Sequence, residues 1–146
     1  MNLSLAQKAY IAGFLDGDGS IYVRLKPNAD YRYGFQIAPY VAFFQSSKDR
    51  KNFEEVCGLI GGGYLRARND GMLEYVIQKQ HVIRSLLSDI RPFLLLKKRQ
   101  ANLMLLILQK KVLVKSKEDF GALMKLIDQF RELNYSKKRK IHMLTP

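Results

Sequence analysis

Two aspartates, Asp16 and Asp18, alternate with Gly17 and Gly19 directly after a run containing Leu5, Ala6, Ala9, Ala12, Gly13 and Phe14. The apolar and small residues of that run suit a helix with a close-packing face, and Ser4 is a suitable N-cap. The Asp-Gly-Asp-Gly tetrad is expected to stop the helix, because two glycines and two aspartates favour a turn. Carboxylates at a helix C-terminus are electrostatically unfavourable, since the unpaired carbonyls there already carry partial negative charge. Two readings follow. One is a turn that uses the conformational preferences of Asp and Gly; the other is a cation site, in which a carboxylate and a free carbonyl hold a hard metal ion. An EF-hand is excluded, because with Asp16 as the first loop residue the positions that need Gly and Glu hold Ile21 and Pro27. Gly61-Gly62-Gly63 lacks the lysine and spacing of a nucleotide-binding loop. Cys57 is the single cysteine, which excludes an internal disulfide framework, and with only His81 and His142 beside it a Cys/His zinc site is not expected.

The elements that must position these residues follow from periodicity. A first helix is expected over about residues 5–16, then hairpins over about 20–44 and 64–78, with a helix from Lys48 to Ile60 between them. In the first hairpin Ile21, Val23 and Leu25 share one side and Tyr22, Arg24 and Lys26 the other. On the returning strand Phe35, Ile37, Val41 and Phe43 are expected to point inward, and Gln36, Ala38, Tyr40 and Ala42 outward. Pro39 implies an edge position or a bulge. The turn Asn69-Asp70-Gly71 joins the second strand pair, a short helix runs from about Val82 to Asp89, and helices over about 97–133 and a basic tail at 137–146 complete the chain. The order is α-β-β-α-β-β-α with extra C-terminal helices, read as a single α+β domain over 1–146.

Charge selects the partner. The 146 residues carry 25 Lys+Arg against 13 Asp+Glu, a formal net charge of +12, with 47% apolar content. That content excludes a disordered basic tail, and no apolar run approaches the roughly 20 residues of a membrane span. The N-terminus lacks the pattern of a secretory signal. Residues 97–117 hold seven basic residues and no acid, and Lys137-Lys138-Arg139-Lys140 adds four more. Residues 1–20, with Lys8 against Asp16 and Asp18, are the acidic exception. A surplus of this size points to a polyanion, because each Lys or Arg that neutralises a phosphate releases counterions. Two hairpins with basic and polar side chains on one face could bury their other face under helices and lie along a major groove.

Ile11-Ala12-Gly13-Phe14-Leu15-Asp16-Gly17-Asp18-Gly19 resembles the motif of the LAGLIDADG homing endonucleases. The likeness continues through Ser20-Ile21, Gln45, Gly63-Tyr64-Leu65-Arg66, Pro92-Phe93-Leu94 and Lys97-Lys98-Arg99-Gln100-Ala101-Asn102-Leu103, in the order seen in single-motif members. The resemblance implies an αββαββα fold, with a curved antiparallel sheet that sits on DNA as a saddle and helices behind it. It implies a homodimer on a pseudo-palindromic duplex site, because one motif per chain supplies one active centre and two strands must be cut. Ala9 and Gly13 would then pack against the partner's motif helix.

By position, the resemblance makes Asp18 the metal ligand, with the Gly17 carbonyl as a second contact, and Asp16 a structural member of the helix end. Gln45, Lys97 and a cation early in the second helix would order water and offset phosphate charge. The family position of that cation falls on Asp49, between Lys48 and Arg50, and Arg50 is preferred. The implied ion is Mg²⁺, with Mn²⁺ able to substitute and Ca²⁺ supporting binding without cleavage. Base reading maps onto Tyr22, Arg24, Lys26, Asn28, Tyr31, Tyr33, Gln36, Ala38, Tyr40, Ala42, Arg66, Arg68, Glu74 and Val76. Arg66 and Arg68 suit guanine, Gln36 suits adenine, and Ala38 and Ala42 suit thymine methyls. Ser136, Lys137 and Lys140 would contact backbone phosphate. Two other activities fit the same fold: an intron maturase acting on RNA, and a DNA-binding regulator without catalysis, the latter disfavoured by the presence of Asp18, Gln45 and Lys97. Chloroplast, mitochondrial and archaeal settings are all compatible with the chain.

Overall fold

The computed structural model describes residues 2–134. A capping box opens α1 (Leu5–Asp18): the Gln7 backbone N–H donates to Ser4 Oγ at 3.1 Å, and the Ser4 N–H donates to Gln7 Oε1 at 2.9 Å. The helix does not stop at Asp16. It runs through Gly17 to Asp18 and ends at Gly19, whose extended backbone (φ −127°) lets its N–H close on the Leu15 carbonyl. A Cβ at Gly19 would sit 2.8 Å from that carbonyl oxygen, so the transition from helix to strand has room for glycine alone. Asp16 is tolerated in the last turn because its carboxylate is held by neighbours from another part of the chain, described below.

Strand β1 (Gly19–Pro27) pairs antiparallel with β2 (Phe35–Ser46) in unbroken register from Gly19↔Phe43 to Pro27↔Phe35. After a 3₁₀ turn at Ser47–Asp49, α2 covers Arg50–Ile60, so the expected helix from Lys48 begins two residues late. Strands β3 (Tyr64–Ala67) and β4 (Met72–Ile77) follow, then α3 (Gln80–Ile90), a second 3₁₀ turn at Arg91–Phe93 and α4 (Lys98–Lys111). The expected last helix is divided at Gln129 into α5 (Lys117–Asp128) and α6 (Phe130–Leu133).

The sheet order is β1-β2-β4-β3. Strand β4 meets β2 only from Val41↔Ile77 to Ser46↔Met72, so residues 35–40 of β2 have β1 as their single strand partner. This explains Pro39. It lies in an internal strand, with no bulge, yet on the stretch where the far side of the strand is open and a missing N–H breaks no ladder.

Period-2 alternation sorts the two faces as the sequence indicates. Ile21, Val23, Leu25, Ile37, Val41, Phe43, Leu73, Tyr75 and Ile77 join one core with the buried residues of α1, α3, α4 and α5. Full burial of a side chain such as Phe43 stabilises the fold by about 1.5–3 kcal/mol. The opposite face carries its own small cluster of Ala38, Tyr40 and Val76, with Tyr22 packed against it. No helix among the described residues is long and apolar enough to cross a membrane.

Candidate functional site

Asp18 is exposed at the C-terminal end of α1, one residue before β1. Asp16, one turn-half earlier, has a different task. Its Oδ2 accepts the Leu95 N–H at 2.7 Å and its Oδ1 the Lys97 N–H at 2.9 Å. The Lys97 ammonium donates to the Asp16 carbonyl at 2.7 Å, placing positive charge where the helix presents unpaired carbonyls. These three bonds bind the segment before α4 to the end of α1 and bring Lys97, 81 residues along the chain from Asp16, to the last turn that also carries Asp18. Gln45 arrives through strand register: it lies two residues past Phe43, the partner of Gly19, or about 7 Å farther along the strand. It shares the helix-side face with its partner Leu73, and its Oε1 accepts the Ser46 N–H at 2.8 Å.

Arg50 is not drawn into this group. Its Nε lies 2.7 Å from Glu54 Oε1 in an exposed pair on α2, and no contact among the described residues ties it to Asp18, Gln45 or Lys97. Beside Asp18, a cleft of about 370 Å³ is lined by Gly19, Ser20, Leu96, Lys97, Gln100 and Asn134. Gln100 and Asn134 were not among the expected site residues, and Asn134 carries no sequence signal for the site. Gln100 Nε2 donates to the Leu133 carbonyl at 2.9 Å and Asn134 Nδ2 to the Ile21 carbonyl at 3.0 Å, closing the cleft with the end of α6. Polar Gln100 on the buried stripe of α4 was the one available hint.

Among the described residues, no three His, Cys, Asp or Glu side chains converge as a metal cage. The end of α1 nevertheless offers hard oxygen donors, an exposed carboxylate and the carbonyls of a last helical turn, which suit a hard divalent cation that keeps water and phosphate in its shell. Burial pushes the Cys57 thiol up to about 11, so it is neither nucleophile nor ligand near neutral pH.

Asp16→Ala is expected to strand the Leu95 and Lys97 backbone donors and loosen the segment that holds Lys97, leaving its ammonium only the Asp16 carbonyl. The loss of stability is about 1–3 kcal/mol, measured by thermal or urea unfolding. Any phosphodiester chemistry at this centre should also fall at least about tenfold, because Lys97 loses its position.

Several residues of the expected base-reading set are covered or engaged within the chain. Tyr22 and Tyr40, cross-strand partners, stack at 4.9 Å between ring centroids and 15° between planes. The Arg24 guanidinium covers both rings at 5.5 and 5.3 Å, and the Lys26 ammonium lies 5.5 Å from the Tyr40 centroid. Beneath these long side chains Ala38, Tyr40 and Val76 are buried, and Ala42 is 0% exposed. Ala42, Ala38, Tyr40 and Val76 therefore lie on the outer face as alternation indicates, but are covered there and expose little surface, which corrects the expectation that they are open to base contact. Tyr33, in the loop before β2, is turned away from the expected set: its ring stacks on Phe120 of α5 at 5.0 Å and packs against the main core. Asn28 Oδ1 accepts the Asp30 N–H at 3.0 Å and shapes the loop from Pro27 to Gly34. Glu74 is an almost buried carboxylate held by Arg66 Nη2 at 2.8 Å.

Arg68 follows β3 and pairs with Asp70 at 2.7 Å in the turn. Arg24, Lys26, Tyr31, Arg66 and Arg68 are the exposed members of the expected set, with Gln36 half-buried. Ser136, Lys137 and Lys140 lie outside the described residues.

On α1, Ala6, Ala9, Tyr10, Gly13 and Gly17 form one exposed stripe. Among the described residues a Cβ at Gly13 or at Gly17 would meet nothing within 4 Å, so their packing does not require glycine at either position. Leu95 and Leu96, 84% and 74% exposed, extend the stripe with apolar surface at the α1 end.

Residues 11–107 match the sequence model described as LAGLIDADG endonuclease. The chain is similar to the DNA endonuclease I-CreI of Chlamydomonas reinhardtii, 36% identical over 132 residues that cover 90% of this chain and 80% of the relative. It is also similar to the DNA endonuclease I-CvuI of Chlorella vulgaris, 32% identical over 136 residues, covering 91% and 83%. Two crystal structures of I-CvuI superpose with a TM-score of 0.85, at 30% and 31% identity, over 92% and 93% of this chain and 86% and 87% of theirs. One is a complex with the I-CreI target in the presence of Mg with the DNA not cleaved, the other a complex with its own target in the presence of Ca.

Proposed function

The chain belongs to the LAGLIDADG endonuclease family, and on that premise we propose that two copies join through α1 to cut both strands of a long, pseudo-palindromic duplex. The protein is a site-specific homing endonuclease, a DNA-binding hydrolase that uses divalent metal. The observation that carries the mechanistic reading is the exposed carboxylate of Asp18, set at the end of the sheet whose outer face is basic and beside a lysine fixed by Asp16.

In this reading Asp18 and the Gly17 carbonyl would hold the ion, for which Mg²⁺ is proposed. A divalent cation bound there supplies Lewis-acid stabilisation of the phosphate and acidifies water. Lys97 offsets charge that builds up on the scissile phosphate, and Gln45 orients water with the amide hydrogens that its bond to Ser46 leaves available. Arg50 remains outside this set unless its pair with Glu54 opens, and that exposed pair is weak enough to exchange for phosphate. Arg24, Lys26, Gln36, Arg66 and Arg68 read base edges, while the buried Tyr40, Ala42 and Val76 hold those readers in place. The small-residue stripe of α1 supports the dimer, because among the described residues nothing covers it.

The test uses a duplex spanning the intronless host locus, incubated with the protein in Mg²⁺ and separately in Ca²⁺. A double-strand break at one place in Mg²⁺, with intact bound duplex in Ca²⁺, is the expected result. Binding without cleavage in both ions would overturn the nuclease reading.

A further inference from the structure

Where β4 stops pairing with β2, the sheet has a notch of about 290 Å³ whose lining includes Lys26, Gln36, Tyr40, Gln78, Gln80 and Lys111. None of its lining residues is acidic. Lys111, the last residue of α4, reaches it from the helix side of the sheet, whereas Lys26, Gln36 and Tyr40 belong to the outer face. The Lys111 ammonium is half-buried, and its single hydrogen bond among the described residues is a long one, 3.5 Å to the Ile37 carbonyl. That carbonyl points to the open side of β2, where no strand pairs with residues 35–40. A cation held this way is poorly satisfied: it has lost water and, among the described residues, gained no carboxylate. Burial accordingly holds Lys111 below the ordinary lysine pKa.

Two ammonium groups and several side-chain amides around a cavity without acids select an anion of phosphate size. The notch opens beside Lys26, an exposed cation of the outer face, so a phosphate of a duplex lying on that face is the anion within reach. We infer that Lys111, with Lys26, forms a seat for one backbone phosphate of the bound duplex, on the flank of the sheet where β4 ends. The inference rests on the DNA-binding reading above. The seat contributes affinity and fixes the position of the β1–β2 arm on the duplex, and it carries no base preference.

The alternative for Lys111 is purely structural: it satisfies the Ile37 carbonyl and the C-terminal end of α4. Equilibrium binding in Ca²⁺ across a salt series separates the two, with the full-length wild type, Lys111→Met and Lys111→Arg tested on the intronless-locus duplex and on a duplex of arbitrary sequence. Methionine keeps the apolar stem and a similar helix propensity. The expected result is weaker binding of Lys111→Met to both duplexes by the same factor. Its log–log salt slope should be shallower by about one per protomer, with most of the loss restored in Lys111→Arg. A slope equal to that of the wild type, with only a lowered unfolding midpoint, overturns the seat and leaves Lys111 as a strut. A wild type that binds neither duplex overturns the DNA reading and the seat together. Titration with inorganic phosphate distinguishes a general anion pocket: displacement of bound duplex at equal phosphate concentrations in wild type and Lys111→Met counts against the seat.

Discussion

Replacing Asp18 with asparagine is expected to reduce cleavage of the target duplex by at least about 1,000-fold, because removing charge stabilisation worth about 4 kcal/mol in the transition state costs that factor. The substitution keeps the size of the side chain and an oxygen but removes its formal charge. The Asp18 side chain is exposed and makes no hydrogen bond or ion pair among the described residues, so its replacement should leave the unfolding midpoint almost unchanged. Binding of intact duplex in Ca²⁺ should survive in large part, since Arg24, Lys26, Arg66 and Arg68 are untouched. Asp16→Ala should behave in the opposite manner, with a clear loss of stability, because its carboxylate carries two backbone bonds. Comparing the two variants in unfolding and cleavage separates the ligand from the anchor. Undiminished cleavage by Asp18→Asn would refute its role at the metal.

The second large effect concerns Gly13. Within one chain a Cβ at this position meets open space, so leucine there should fold as well as glycine or better, given its higher helix propensity. Across a helix pair whose stripe is Ala6, Ala9, Gly13 and Gly17, four added heavy atoms hold the backbones apart and remove the close approach that small residues permit. Gly13→Leu is therefore expected to yield a folded monomer by sedimentation. Double-strand cleavage should fall to background, and duplex affinity should drop by more than about 100-fold as the second half-site contact is lost. A dimer of unchanged affinity in Gly13→Leu would show that the chains meet elsewhere.

Much of the fold is legible in the residues because its signals are local. Ser4 and Gln7 make their capping box within one turn, and period-2 alternation from Ile21 to Lys26 sorts the faces of β1 correctly. The nine residues Ile11 to Gly19 carry the family, and with it the acid proposed for the active centre. Local signals also misled. The Asp-Gly-Asp-Gly tetrad looks like a helix stop, yet the helix continues because Leu95 and Lys97 satisfy Asp16 from the far end of the molecule. Tyr33 falls among loop residues assigned to DNA, yet Phe120 takes its ring.

The sequence by itself determined the class of protein, the α-β-β-α-β-β-α order, the basic character of the partner-binding face and the identity of Asp18. Those properties depend on residue type, periodicity and net charge, which are properties of short segments. Only the tertiary structure decided which outward residues reach solvent. Alternation says that Ala42, Tyr40 and Val76 point outward, but the crowding of Tyr22 and the neighbouring strands buries them, leaving Arg24 and Lys26 on top. It also decided that Lys97 stands beside Asp18, that Asn134 closes the cleft on Ile21, and that Lys111 faces a notch in the sheet. Each of these depends on contacts between residues some 70 to 110 positions apart, and burial and charge pairing are set by such neighbours in space.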